Sequence, residues 1–193
     1  MAVIDRTSTL DPIREKVAAG ERLDLEDGLA LMESDDILGL GELADLARRK
    51  RGGDDEVYFV QNLYLNQTNV CRVKCKFCAF AVTQKQKDAY TYTAEELVQD
   101  ALRQRELTGF TEIHMVGGES PHVDFDYYVQ IVGQLHEAMP DVHLKLFTAS
   151  EIHHMTTLSG LTHEEVLREL QSVGLGSLPG GGAEVFADRV RRL

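Results

Sequence analysis

The sequence contains no uninterrupted apolar run that approaches the roughly 18–20 residues needed to span a membrane. Its first residues lack the basic start and apolar core of a secretory signal, so secretion is not predicted. Cations are also scarce, because 20 Lys and Arg stand against 32 Asp and Glu and give a net charge of −12. Nucleic-acid binding depends on clustered cations, so this balance argues against a nucleic-acid partner. These absences predict a cytoplasmic protein that binds neither membrane nor nucleic acid.

Cysteine is scarce as well, and all of it lies in one short segment. Cys71, Cys75 and Cys78 have the spacing C-x3-C-x2-C. In a reducing compartment, thiols act as ligands or catalysts rather than as disulfides. Structural zinc takes four ligands, and the nearest histidine, His114, is far along the chain. An iron–sulfur cluster held by three thiolates, with one iron open to a small molecule, fits best; zinc and a redox thiol pair remain as alternatives.

Predicted helices and strands alternate over most of the chain. Residues 11–51 are predicted to be helical, with helices opening at Asp24 and Ser34. Further on, Thr93 with Glu96 forms a capping box, and a second box follows at residues 162–165. The predicted strands cover 57–65, 111–116, 142–147 and, weakly, 174–178, and the predicted helices between them cover 94–108, 125–139 and 163–173.

This alternation predicts parallel strands joined by helical crossovers. Each predicted strand runs into a distinctive loop: the cysteines, Gly-Gly-Glu at 117–119, Thr-Ala-Ser-Glu at 148–151, and Pro-Gly-Gly-Gly at 179–182. In barrels and open α/β folds, ligands bind at the carboxyl ends of the strands. The sequence therefore predicts a helical segment over 1–54 and an α/β domain over 55–193 with its ligand site at the strand ends.

The cysteine motif, with Phe77 just before its last cysteine, resembles the signature of the radical S-adenosylmethionine (SAM) enzymes. The resemblance implies that Cys71, Cys75 and Cys78 hold a [4Fe-4S] cluster whose open iron binds the amino and carboxylate groups of SAM. It also implies one-electron cleavage of SAM to methionine and a 5′-deoxyadenosyl radical. Phe77 would shield the cluster from water.

A second motif, "VGGESP", resembles the Gly-Gly-Glu segment that holds the methionine part of SAM in this family. Gly117, Gly118 and Glu119 are the candidate residues, since glycine lets a backbone approach a ligand closely. Glu151 follows the third predicted strand and is the further candidate for binding the ribose or methionine part of SAM. Its alternative role is that of an ordinary loop carboxylate.

The same resemblance implies a partial TIM-type (β/α)6 barrel with an N-terminal helical extension. Only about four β/α units are predicted here, so we expect the chain to be the N-terminal part of a longer protein. An isolated fragment of this kind would expose an unpaired parallel strand edge. We therefore expect the fragment alone to be poorly soluble or inactive.

Longer segments narrow the resemblance to the aminofutalosine synthases of menaquinone biosynthesis. They include "VYFVQNLYLNQTNVCRVKCKFCAF", "EIHMVGGESPHVDFDYY" and "HLKLFTASEIHHMTTLSGLTHEEVL". The resemblance implies a transferase that adds the 5′-deoxyadenosyl radical to the enol ether of 3-[(1-carboxyvinyl)oxy]benzoate and forms 6-amino-6-deoxyfutalosine. Tyr64 and Gln67 depart from the pattern, which has His and Pro there. The alternatives are cyclic dehypoxanthine futalosine or deazaflavin synthases and, in another class, a non-catalytic iron–sulfur or zinc module.

Other polar residues near the predicted strand ends have two interpretations each. His114 alternates with apolar neighbours, and it either points into the barrel toward substrate or is a satisfied core histidine. Asn69 either orients the cysteine loop or forms a simple Asx turn. No metal role is predicted for His153 and His154.

The segment from Cys71 to Asp88 is basic within an acidic chain. It carries Arg72, Lys74, Lys76, Lys85 and Lys87 against Asp88, so its net charge is five minus one, or +4. Opposed charge patches steer the encounter of electron-transfer partners. The functional interpretation is a docking patch for an acidic flavodoxin or ferredoxin, and the alternative is a solvated loop.

Overall fold

A computed structural model describes residues 10–52, 56–73, 75–76, 78–181 and 185–192. The chain divides into two compact units between Phe59 and Val60. The sequence predicted this division between residues 54 and 55. Phe77 and Lys74, for which roles were predicted, lie outside the described residues.

Within its described residues, the first unit contains three helices: α1 (Asp11–Ala19), α2 (Leu25–Glu33) and α3 (Ile37–Gly52). They enclose a small core around Leu10, Ile13 and Leu43. The predicted start of α2 is confirmed, since the Asp24 carboxylate accepts a hydrogen bond from Asp27 N at 2.9 Å.

The third helix begins later than predicted. Ser34 was expected to open it, but the Asp36 carboxylate accepts the hydrogen bond from Gly39 N at 3.0 Å. Ser34 Oγ instead accepts from the backbone N of Asp36 at 3.2 Å. Asp36 therefore satisfies the helix terminus, and Ser34 supports the turn before it.

The second unit alternates strands and helices as predicted. Its strands, β1 (Asn62–Leu65), β2 (Glu112–Met115) and β3 (His143–Leu146), form one parallel sheet in the order β1-β2-β3. Its helices are α4 (Ala94–Thr108), α5 (Phe125–Ala138), α6 (Ala149–Ser159), α7 (His163–Ser172) and α8 (Asp188–Arg191). Capping boxes open α4 and α7 at Thr93 and Thr162, as the sequence predicts.

The two faces of the sheet differ in chemistry. One face is apolar and belongs to the main core, which also contains Tyr128 and Leu135 of α5; its buried strand residues are Leu65, Ile113, Met115, Leu144 and Leu146. The other face, called here the polar face, consists of two rows set by the strand register: Asn62, Glu112 and His143, then Tyr64, His114 and Lys145. The second row lies nearer the carboxyl ends of the strands.

The first strand is shorter than the predicted span of 57–65. Pairing with β2 begins where Thr111 N donates to Gln61 O at 3.0 Å, and the strand proper starts at Asn62. Val57 and Phe59 are instead about nine-tenths exposed. Their β propensity is real, but a strand also needs a neighbour to hydrogen-bond with.

The weak fourth strand is not a strand in the structure. Residues 174–178 pair with β3 through one isolated parallel bridge, between Lys145 and Ser177. Ser177 N donates to Leu144 O and Ser177 O accepts from Leu146 N, both at 3.1 Å. Gly174 and Gly180 flank this contact in left-handed conformations, which break the extended run on both sides.

The segment at 148–151, predicted to be a loop, is the start of helix α6. Thr148 caps the helix, and Glu151 completes a capping box at its third residue. Phe147, just before the cap, is buried and has a positive φ of 66°, which is an outlier for a bulky side chain. This backbone kink lets the chain turn from β3 directly into the helix.

Candidate cluster and cofactor site

The three cysteines line a single cavity. Its volume is about 260 Å³, and Ala81, Val82, Thr83 and Gln86 complete the wall. All three thiols are unpaired, with Cys75 and Cys78 exposed and Cys71 half-buried. Among the described residues, no three His, Cys, Asp or Glu side chains are already grouped around one ion position. Three thiols around one cavity suit a cluster held by three thiolates, whereas structural zinc takes four ligands.

Asn69 closes the base of the cysteine loop. Its Nδ2 donates to Asp88 O at 2.8 Å, and its Oδ1 accepts from Tyr90 N at 2.8 Å. Backbone bonds join the two ends as well, from Val82 N to Asn69 O at 2.9 Å and from Cys71 N to Val82 O at 3.1 Å. These partners lie far along the chain, so the loop-orienting interpretation is confirmed and the Asx turn is wrong.

The Gly-Gly-Glu segment packs directly on the start of the cysteine loop. Gly118 N donates to Thr68 O at 2.7 Å, and Arg72 N donates to Glu119 O at 3.0 Å. A Cβ at Gly118 would lie 2.2 Å from Val70 O, a distance at which the backbone would have to move. Gly118 is therefore required for the contact between the two segments.

The Glu119 side chain is buried and links three elements. Ser150 Oγ donates to its carboxylate, and Arg72 Nε lies 3.4 Å from it. Arg72 Nε also donates to His154 Nδ1 at 3.1 Å, and His154 Nε2 lies 2.9 Å from Ser120 O. These partners assign the His154 proton to Nε2. The cysteine loop, the Gly-Gly-Glu segment and α6 are thus held together by one polar network.

Glu151 joins the carboxyl ends of all three strands. Its Oε1 accepts from Gln67 Nε2 at 2.9 Å and from Gly117 N at 3.0 Å. Its Oε2 accepts from Thr148 N at 2.8 Å and Thr148 Oγ1 at 2.9 Å. The side chain is only 2% exposed, and burial raises its pKa above the usual range against the opposing effect of these hydrogen bonds. The role predicted for it in SAM binding stays a prediction.

His114 and His153 lie in different environments. His114 lies on the polar face of the sheet, opposite in direction to Ile113 and Met115, and its ring is 5.2 Å from the Tyr64 ring. His153 stacks on His163 at a centroid distance of 5.4 Å on the surface. His114 therefore points away from the apolar core, as the functional interpretation requires.

Sequence analysis missed the linking roles of Arg72, Gln67 and Thr148. Arg72 was counted only as a charge, and its partner His154 is 82 residues away. The role of Thr148 had a readable signal, because Thr-Ala-Ser-Glu has the same Thr-x-x-Glu pattern as the two capping boxes that were predicted. Its position after a strand made it look like a ligand loop.

Residues 65–193 match the family model described as the radical SAM superfamily. The chain belongs to this superfamily. Membership implies a [4Fe-4S] cluster and SAM, and the three cysteines around one cavity are the residues that fit the cluster. The three parallel strands with their helices form part of a radical SAM TIM-type domain. Within the described residues, no helix has the length and apolar character needed to cross a membrane.

Curated relatives of this superfamily member cover most of the chain. Aminodeoxyfutalosine synthase of Streptomyces coelicolor is 46% identical over 93% of the chain and 46% of its own length. The Thermus thermophilus protein of the same name is 43% identical over 97% of the chain and 50% of its own length. A cyclic dehypoxanthine futalosine synthase from Halalkalibacterium halodurans is 34% identical over 95% of the chain and 49% of its own length. The chain spans about half the length of these relatives.

A solved structure supports the fold of this superfamily member. The [FeFe]-hydrogenase maturase HydG superimposes with a TM-score of 0.63 over 88% of the chain and 36% of that structure. The sequence identity is only 18%, so the likeness shows a shared fold alone.

Proposed function

We propose that the chain carries the cluster- and SAM-binding part of an aminodeoxyfutalosine synthase. In this reaction the 5′-deoxyadenosyl group of SAM joins 3-[(1-carboxyvinyl)oxy]benzoate, the carboxyvinyl carboxylate leaves as bicarbonate after rearrangement, and 6-amino-6-deoxyfutalosine forms. The enzyme is a transferase of menaquinone biosynthesis, and SAM is consumed. The observation that carries the proposal is the 46% identity over 93% of the chain.

In the proposal, Cys71, Cys75 and Cys78 hold the [4Fe-4S] cluster. When bound, the cluster and SAM supply the 5′-deoxyadenosyl radical. Support comes from the shared cavity, which leaves two of the three thiols exposed for assembly. Three thiolates leave one iron free for SAM.

Gly117, Gly118 and Glu119 are proposed to hold the methionine part of SAM. Their segment is hydrogen-bonded to residues on both sides of Cys71, through Thr68 and Arg72. This arrangement fixes the distance between the proposed cluster and the proposed methionine site. A fixed distance favours electron transfer to one bond and holds the reacting groups in contact.

Glu151 is proposed as a further SAM contact, for the ribose or methionine part. Both of its oxygens already accept two hydrogen bonds from the protein. A direct contact therefore requires SAM to replace one of these four donors. Gln67 Nε2 is the only side-chain amide among the four, beside two backbone N–H groups and the Thr148 hydroxyl.

A flavodoxin or ferredoxin is proposed as the electron donor. Arg72, Lys76, Lys85 and Lys87 give the described part of the cysteine loop a positive charge, opposed by Asp88. Two of these lysines, Lys85 and Lys87, are exposed near Gln86, which lines the cysteine cavity. An acidic protein that docks there would place its cofactor close to the cluster.

Product analysis tests the proposed function. The intact protein, meaning this chain with any residues that continue it, is reconstituted anaerobically with iron and sulfide and incubated with SAM, dithionite and the enol-ether benzoate. Mass spectrometry is expected to find 6-amino-6-deoxyfutalosine and to find none without the alkene. SAM cleavage without the adduct would point to another radical SAM reaction, such as that of the 34%-identical relative. No SAM cleavage by the intact protein would favour a non-catalytic module.

A further inference from the structure

The polar face of the sheet is unusual for the inside of a barrel. In TIM-type barrels the inward positions are mostly filled by bulky branched apolar side chains. Here both rows are made entirely of polar or ionisable residues: Asn62, Glu112 and His143, then Tyr64, His114 and Lys145. The apolar strand residues all belong to the opposite face and the main core. Polar side chains cost free energy when they are buried without hydrogen-bond partners, so this face is better suited to contact a polar ligand than to pack as an apolar core.

The row of Tyr64, His114 and Lys145 lies next to the carboxyl ends of the strands. Strand register places these three residues side by side on β1, β2 and β3. The Tyr64 and His114 rings are 5.2 Å apart with an interplanar angle of 34°. Tyr64 is 69% exposed. The row therefore offers an exposed aromatic surface next to the carboxyl ends of the strands.

Lys145 adds a positive charge to this row. Its Nζ forms an ion pair with Glu112, which lies one row further from the strand ends. The Glu112 side chain is 9% exposed, while that of Lys145 is 26% exposed, so the cation is the accessible partner. An ammonium group has three donors, and Lys145 makes no second ion pair within the described part of the chain. Glu112 thus holds the ammonium in place while leaving donors for a ligand.

We propose that this row binds an aromatic carboxylate, with Lys145 Nζ pairing the carboxylate and the Tyr64–His114 ring pair contacting the aromatic ring. The inference rests on the proposed function and assigns a contact to the benzoate end of its substrate. Charged hydrogen bonds of this kind contribute roughly twice as much as neutral ones. In this proposal Lys145 is a specificity residue for the co-substrate.

Steady-state kinetics of the full chain test the role of Lys145. Lys145→Met is expected to raise the KM for the enol-ether benzoate by about 10- to 100-fold, as for loss of a charged hydrogen bond. The KM for SAM and the slow SAM cleavage without the alkene should be unchanged, and Lys145→Arg should recover much of the loss. A KM within twofold of the parent, or an equal loss of SAM cleavage, would overturn the proposal.

The chain offers a matched control for the loss of a half-buried ion pair. Lys16 pairs with Asp27 at 2.7 Å, and the two side chains are 35% and 10% exposed. Lys16→Met removes the same kind of interaction in the helical unit. Lys16→Met is expected to leave the KM for the enol-ether benzoate and the KM for SAM unchanged. A similar rise of the benzoate KM in both lysine variants would show a general effect of destabilisation and would contradict ligand binding by the row.

A binding measurement separates this proposal from the proposed function. The probe is 3-hydroxybenzoate, titrated into the full chain and followed by NMR or calorimetry. If the parent binds the probe and Lys145→Met binds it at least tenfold more weakly, the result supports a carboxylate site at the row even when no futalosine product forms. If both bind equally, or if the parent does not bind millimolar probe, the result overturns this site even when the enzyme makes the product.

Discussion

The cysteine loop and the Gly-Gly-Glu segment carry the two signatures of the family, and they are built in opposite ways. The cysteine loop exposes Cys75 and Cys78 and lines an open cavity. In the Gly-Gly-Glu segment Gly118 and Glu119 are buried and Gly117 is half-buried, and Gly117, Glu119 and the following Ser120 have hydrogen-bond partners in distant elements. One region keeps its chemistry available to solvent, whereas the other uses its polar groups to hold the structure together.

This difference separates function from stability. Substitution of the exposed Cys75 or Cys78 removes a thiol without removing a packed contact, so it should affect the cluster alone. Substitutions in the buried segment should change the fold and the site together. The four predictions below are arranged by expected size and test whether that separation holds.

The largest effect is expected for Cys75→Ala. Loss of one of three thiolates should abolish assembly of the [4Fe-4S] cluster, measured as iron and sulfide content after anaerobic reconstitution. Unfolding of the metal-free protein should change by no more than about 0.5 kcal/mol, because the thiol is exposed. Ala81→Ser alters the same cavity wall and should retain the iron. A purified protein with one zinc and no sulfide would contradict the assignment.

Gly118→Ala should damage stability and site together. The added Cβ would approach Val70 O to 2.2 Å, so the two segments must separate. We expect a loss of about 1–3 kcal/mol in the free energy of unfolding, measured in denaturant, and SAM binding weakened at least tenfold. Gly28→Ala is the control, since nothing lies within 4 Å of its Cβ and α2 should gain about 0.5–1 kcal/mol. Equal behaviour of the two variants would refute the close contact.

Glu151→Gln tests the buried hub of the strand ends. The glutamine side chain would place an N–H donor against other donors whose hydrogen bonds the carboxylate accepts. The free energy of unfolding should therefore fall by about 1–3 kcal/mol. The raised pKa of Glu151 means that the folded state binds this proton more tightly than the unfolded state does. The stability of the parent relative to the variant should therefore fall as the pH rises from the usual glutamate range through that raised pKa.

Glu165→Gln is the matched control, because it alters an exposed capping box of the same pattern. Hydrogen bonds from Thr162 lower the pKa of Glu165, so its contribution should be lost as the pH falls. Two pH profiles of opposite slope are expected from thermal or denaturant unfolding. Slopes of the same sign would show that hydrogen bonds, and not burial, determine the direction of the pKa shift of Glu151.

The smallest effect is expected for the double reversal Lys85→Glu with Lys87→Glu. Both residues are exposed, so the fold and the iron content should be unchanged. Turnover driven by flavodoxin should slow several-fold and depend less on salt, because opposed patches mainly raise the association rate. Turnover driven by dithionite should not change. An equal loss with both reductants would rule out the docking patch.

The local part of this architecture could be predicted from the sequence. Capping boxes at Thr93 and Thr162, the alternation of strands and helices, and the C-x3-C-x2-C spacing are all short-range patterns. The polar network could not be predicted. Gln67 reaches Glu151 across 84 residues and Arg72 reaches His154 across 82. Only the parallel register of the sheet brings such groups to the same edge.

The two incorrect strand predictions have the same origin. Val57 to Val60 have the composition of a strand, but backbone hydrogen bonds between this segment and the β2 segment begin only at Gln61. Residues around Ser177 do pair with β3, but glycines on both sides keep the contact to isolated bridges. Propensity describes what a segment prefers, and neighbours decide whether the preference is realised.

The bonds from Asn69 to the far end of the cysteine loop have a consequence for cluster assembly. They close the loop across 19 and 21 residues before any iron arrives. Bringing together the ends of a flexible segment of that length costs roughly 2–3 kcal/mol in chain entropy. The Asn69 side chain offsets that cost during folding, so the three cysteines would already be confined near one another when the proposed cluster assembles. The loop would then act as a chelator whose ring the protein closes in advance.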